Sequence, residues 1–120
     1  MATRWEQLCE AETGRVLIPR LEVADTAWKR SLGLMGRRPL TSDTAMWLEP
    51  CNGIHTFLLR FPIDVLILDS QGRALRTISG LRPWRIVLPI RGGRTTVELP
   101  AGTLAAHGIQ PGGRYTKKAI

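Results

Sequence analysis

The sequence predicts a small β-rich α+β domain, an antiparallel sheet or partly closed barrel of about seven strands with one or two short helices. Three observations carry that class. Apolar runs of strand length recur between Gly, Pro and Asn-Gly turn signals, and only two stretches combine a helix cap with helical spacing. The chain has 120 residues and a hydrophobic fraction of 43%. That suits one domain over 1–120 that buries its own core.

Taken in order, Glu12-Thr13-Gly14 separates Trp5–Glu10 from Val16–Val23, which predicts an N-terminal β-hairpin. Asp25 or Thr26 then caps a short helix with Trp28, Leu32, Leu34 and Met35 on its apolar side, stopped at Gly33. Gly36 to Leu40 follows as a loop carrying Arg37 and Arg38, and Pro39 keeps Arg38 out of helix. Ala45–Leu48 is a short strand, ended by Pro50-Cys51-Asn52-Gly53, and extended chain resumes over Ile54–Phe61. Pro62–Leu68 is the most apolar run and reads as a central strand, with Arg73–Ser79 returning antiparallel to it after the turn Asp69–Gly72. Arg85–Leu88 and Thr95–Leu99 are two further strands. In the second, Thr96 and Glu98 alternate with Val97 and Leu99, which predicts that Glu98 points away from the core. Thr103 caps one helical turn ended by Gly108, and Arg114–Lys118 closes the fold as an edge strand.

Charge narrows the partners. Lys and Arg number 17 against 10 Asp and Glu, a net +7. Residues 1–25 are acidic on balance, whereas 70–120 hold a single acid, Glu98. Most of the bases are arginine, whose planar fork suits carboxylate and phosphate. No apolar run reaches membrane-spanning length, the first ten residues lack a signal-peptide core, and Cys9 and Cys51 form no Cys-x-x-Cys pair. A cytoplasmic protein is the expectation.

Three stretches together resemble the domain of unknown function 192 family: Val23-Ala24-Asp25-Thr26 running to Gly33-Leu34-Met35-Gly36-Arg37, Phe61 to Asp69 with Gly72-Arg73, and Glu98 to Thr103 with Gly108-Ile109. The resemblance spans roughly residues 21–113. It implies a compact prokaryotic β-rich domain with a short helix, and no assigned activity. Ahead of Pro62 this chain departs from the family pattern with Cys51, His55, Thr56 and Arg60.

Three readings of function follow. The leading one is a non-catalytic binding or accessory module for an anionic small ligand or an acidic protein surface. Its candidate site is Arg37, Arg38, His55, Thr56, Arg60, Asp64 and Glu98. Asp64 lies in an apolar strand, so it needs a partner, for which Arg30, Arg37, Arg38, His55 and Thr56 are the candidates. The second is a small hydrolase with Cys51 as nucleophile, His55 as base and Asp64 behind it, parts whose chemistry depends on proximity. The third is nucleic-acid binding through Arg82, Trp84, Arg85, Arg91 and Arg94, against the default of a solvated basic face on which Trp84 packs as a lid. No metal or cofactor is expected, since Cys9, Cys51, His55 and His107 lack zinc spacing.

Overall fold

The computed structural model describes residues 4–24 and 39–120. Through them run β1 (Trp5–Glu10), β2 (Val16–Ala24), β3 (Thr44–Leu48), β4 (Ile54–His55), β5 (Ile63–Leu68), β6 (Ala74–Leu81), β7 (Ile86–Val87), β8 (Thr95–Pro100), α1 (Thr103–His107) and β9 (Tyr115–Ala119). The helix expected after Ala24, with Arg37 and Arg38 behind it, lies outside the described residues.

A seven-stranded sheet has the order β6-β5-β8-β3-β2-β1-β9, and β4 pairs with β7 in a separate two-stranded sheet. Only β2 and β3 run parallel; the other pairs are antiparallel. The expected hairpin forms as β1–β2, and β6 returns beside β5 as the turn at Asp69 predicts. Asp69 Oδ1 accepts from the amides of Gln71 and Arg73 and ties that turn. The Arg73 amide in particular holds the Asp69 carboxyl below its usual range, despite a partial offset from desolvation. A lowered carboxyl adds stability above its unfolded-state value and loses it as pH falls through the folded value. Asp69→Asn is therefore expected to flatten the acid limb of a stability-against-pH curve between those two values, which thermal melts would read.

The sheet does not close into a continuous ladder. Its two edges touch at one corner, through the bridge Arg73–Arg114 and backbone bonds from Ala74 N to Gly113 O (2.7 Å), Gly112 N to Ala74 O (2.9 Å) and Tyr115 N to Gly72 O (2.8 Å). Gly72 makes that corner possible: its φ is +81°, and a Cβ there would run into the Tyr115 carbonyl.

Both faces of the main sheet are covered. One carries Leu8, Ile18, Leu21, Trp47, Leu66, Val97 and Leu99 with Leu104 of α1. The other carries Met46, Leu48, Leu59, Phe61, Ile63, Val65 and Ile67 with Val87 of β7. Two faces of burial explain why every residue of β5 is buried and why its sequence is a continuous apolar run.

The same fact corrects the expectation for Glu98. It does alternate with Val97 and Leu99, but the face it points to is also covered, and it is 5% exposed. Three other expectations need amending. The run Ile54–Phe61 is a strand only at its first two residues, and β7 joins β4 rather than the main sheet. Thr103 is the first helical residue instead of the cap; Gly102 holds the cap position at φ 93°, and the Thr103 hydroxyl donates to Pro100 O.

Candidate functional site

Asp64 is fully buried, and its partners are backbone amides. Oδ1 accepts from Gly80 N (2.9 Å), and Oδ2 from Gly102 N (3.1 Å) and Leu104 N (2.9 Å). Two disruptions of regular structure create these donors. The β5–β6 register slips between Ile63 and Val65, where Gly80 takes φ 61°, and the first turn of α1 leaves its amides without carbonyl partners. Asp64 therefore caps α1 from a neighbouring strand and satisfies the bulge of β6. His55 and Thr56 are not its partners, and the arginines expected for it, Arg30, Arg37 and Arg38, lie outside the described residues.

The register also separates Asp64 from Glu98. Asp64 is opposite Leu99, and Val65 is opposite Glu98, so the two carboxylates stand on opposite faces of the sheet. The single polar pocket expected to join them is not assembled. The hydrolase constellation fares alike: Asp64 is engaged with amides, His55 Nδ1 accepts from Phe57 N, and Cys51 Sγ donates to Gly53 O. Among the described residues, no group of three or more His, Cys, Asp or Glu side chains could hold a metal ion.

The candidate residues the structure does bring together lie on a flap made of two segments distant in sequence, 51–60 and 82–93. Asn52 clamps Ile90 through both ends of its amide, and β4 pairs with β7 at Ile54–Val87 and His55–Ile86. Thr56 is the knot. Its hydroxyl donates to Arg82 O (2.6 Å) and accepts from Arg85 N (2.8 Å), while its amide donates to Arg85 O and its carbonyl accepts from Trp84 N. Thr56 is fully buried. Its role is to fold the Arg82–Arg85 segment into one shape.

That shape turns Trp84 outward. Trp84 has φ 64° and is 61% exposed, so it is not the packed lid of the default reading. A tryptophan in the left-handed region is strained, and such strain persists only where the surroundings enforce it. Period-two alternation continues the surface: Val87 points to the core while Ile86 and Leu88 are exposed, and His55, opposite Ile86, shares their side. Phe57 lies between His55 and Trp84, tilted against the first at a ring-centroid distance of 4.9 Å and stacked on the second at 5.6 Å. Arg60, Arg82, Arg85 and Arg91 are exposed on the same segments. The flap thus has one apolar face turned to the core and apolar side chains turned to solvent, with four exposed arginines on the same two segments.

Leu58 adds a second strained residue, at φ 65° and 54% exposed. Leu58→Gly is expected to raise stability by about 0.5 to 1 kcal/mol, because glycine adopts this conformation without steric penalty. Chemical denaturation would measure the gain.

Arg94 belongs elsewhere. Its Nε lies 3.6 Å from Glu49 Oε2, and Glu49 Oε1 accepts from Trp47 Nε1 (2.9 Å) and the Thr95 hydroxyl (3.2 Å). These groups border a cleft of about 590 Å³ that also reaches Arg114 and Tyr115. Sequence reasoning missed Glu49 and Trp47; the one local signal is an acid beside a proline after an apolar strand.

The chain matches a family model, domain of unknown function 192, described as "Uncharacterized ACR", over residues 9–116. It is 33% identical to a UPF0127 protein of Thermococcus sibiricus over 76% of this chain, and it spans 61% of that relative's length. A UPF0127 protein of Pyrococcus furiosus is also 33% identical, over 79% of this chain and 85% of its own. Among solved structures, a protein of Sinorhizobium meliloti 1021 described as a "putative transcription regulator" superposes with a TM-score of 0.79 at 26% identity, covering 97% of this chain and 94% of that one. A protein of unknown function from Novosphingobium aromaticivorans shares the fold, with a TM-score of 0.77 at 21% identity over 95% of this chain and 84% of its own.

Proposed function

The chain belongs to the domain of unknown function 192 family, and from that premise we propose that it is a non-catalytic binding module that recognises an anionic partner through the outer face of the β4–β7 flap. One observation carries the reading: a fully buried threonine makes hydrogen bonds that hold a strained tryptophan out into solvent, on segments with four exposed arginines. A fold spends conformational strain on an exposed aromatic ring where the ring meets something. The arginines give that partner its sign, because guanidinium groups pair with carboxylate, phosphate or sulfate.

Of the candidates named from sequence, His55, Thr56, Arg60, Arg82, Trp84, Arg85 and Arg91 belong to this site. Thr56 acts by positioning. Asp64 supports the fold, and Arg94 faces Glu49. The description of the Sinorhizobium meliloti protein is consistent with an anionic macromolecule as partner.

Titration with dextran sulfate, polyglutamate and inorganic phosphate, followed by tryptophan fluorescence and thermal shift, tests the proposal. At least one of these anions is expected to bind, with an affinity that falls as salt rises. The triple variant Arg82→Gln, Arg85→Gln, Arg91→Gln is expected to lose about 100-fold in affinity, taking about 1 kcal/mol per exposed cation, while melting within a few degrees of the parent. Absence of any response across the three anions would overturn it.

A further inference from the structure

Resting on that reading, we infer that the anionic partner is a lipid bilayer surface, on which the outer face of the β4–β7 flap docks peripherally. Charge alone would fit many anions. The apolar part of the flap selects among them. Leu58, Trp84, Ile86 and Leu88 are 54%, 61%, 63% and 71% exposed, and they account for four of the six large hydrophobic residues exposed among the described residues. Ile86 lies on β7, and Leu58, Trp84 and Leu88 on the short loops beside β4 and β7; such a concentration of exposed apolar side chains marks an interaction surface.

A bilayer interface offers what this surface lacks. Aliphatic side chains enter the boundary of the acyl region, an indole settles at headgroup depth, and guanidinium groups meet lipid phosphates, each in a different layer of one partner. The flap has all three kinds of group: Leu58, Ile86 and Leu88; Trp84; and Arg60, Arg82, Arg85 and Arg91. A polyanion in water would engage the arginines and leave the aliphatics unused. Single-stranded nucleic acid would stack on Trp84, but Ile86 and Leu88 have no aromatic face to offer a base. A second copy of this chain would bring arginine against arginine. No helix among the described residues is long and apolar enough to cross a membrane, so the contact is one of surface docking through strands and loop.

The test is flotation of the full chain with vesicles of phosphatidylcholine alone and of phosphatidylcholine with phosphatidylglycerol, together with tryptophan emission spectra. Binding to the anionic vesicles, with a blue shift in emission, is expected. Replacing Ile86 and Leu88 by Ser should weaken it on the order of 100-fold, and Arg82→Gln or Arg85→Gln about fivefold each. All four residues are exposed, so melting curves should stay close to that of the parent. An oligothymidylate and dextran sulfate serve as comparisons. Binding to either of these but not to anionic vesicles would overturn the lipid assignment and leave the anion reading standing. Binding to none of the probes would overturn both. Equal flotation with pure phosphatidylcholine, or self-association that buries Trp84, would also overturn the lipid assignment.

Discussion

Asp64→Ala is expected to lower the unfolding free energy by about 3 to 5 kcal/mol, the range for removing a buried acceptor from several donors at once. The variant would leave the amides of Gly80, Gly102 and Leu104 facing a cavity. Two of those amides open α1 and the third sits at the bulge of β6, so helix, bulge and sheet are loosened together. Asp64→Asn should recover part of the loss, since the carboxamide oxygen still accepts but its NH₂ meets donors. Urea denaturation reads both values through the midpoint. A loss under about 1 kcal/mol for the alanine variant would mean that these amides find other acceptors.

Thr56→Val is expected to cost about 2 to 3 kcal/mol, because it keeps the shape and deletes the hydroxyl that bonds Arg82 O and Arg85 N. The more telling effect is on the flap. Without those bonds, the segment keeps only the backbone bonds Trp84 N to Thr56 O and Thr56 N to Arg85 O, and Trp84 at φ 64° is freer to relax toward the unstrained region. Anion binding should therefore fall with stability. Thr56→Ser keeps the hydroxyl and should retain both properties. Melting curves and anion titrations on the two variants separate the hydroxyl's contribution from that of the side-chain volume.

Much of the main sheet was legible because its signals are local. Gly14 after Glu12-Thr13 and the turn Asp69–Gly72 mark hairpins by their chemistry, and the apolar run of β5 announces a strand buried on both sides. Glu98 shows the limit of alternation. Period two reports two faces, but not whether both are covered, and only the assembled fold shows Met46, Val65 and Ile67 on the face it joins.

Asp64 shows a second limit. A buried carboxylate in a strand demands a partner, and side chains are the partners a sequence displays; amides exposed by a register slip and by a helix start carry no residue signature. The flap was the least legible part. Strands of two residues are too short for any period, and the pairing of 54–55 with 86–87 spans the whole of β5 and β6. Nothing in residue preference suggests a tryptophan with positive φ, where Gly or Asn is the usual occupant. Basic residues and Trp84 were visible as a cluster, but their shared surface with His55 and Phe57 was not.

On the proposed reading, the outer face of the β4–β7 flap, which carries Trp84, is the recognition surface for an anionic partner. Its most direct test is a set of ¹H–¹⁵N correlation spectra recorded during titration with dextran sulfate, in which each tryptophan contributes a separate indole signal. The Trp84 indole and the amides of His55, Phe57, Arg82 and residues 84–88 are expected to shift together, while the indoles of Trp5 and Trp47 hold still. Shifts centred on Trp47, Arg94 and the cleft beside Glu49, with Trp84 unmoved, would contradict it.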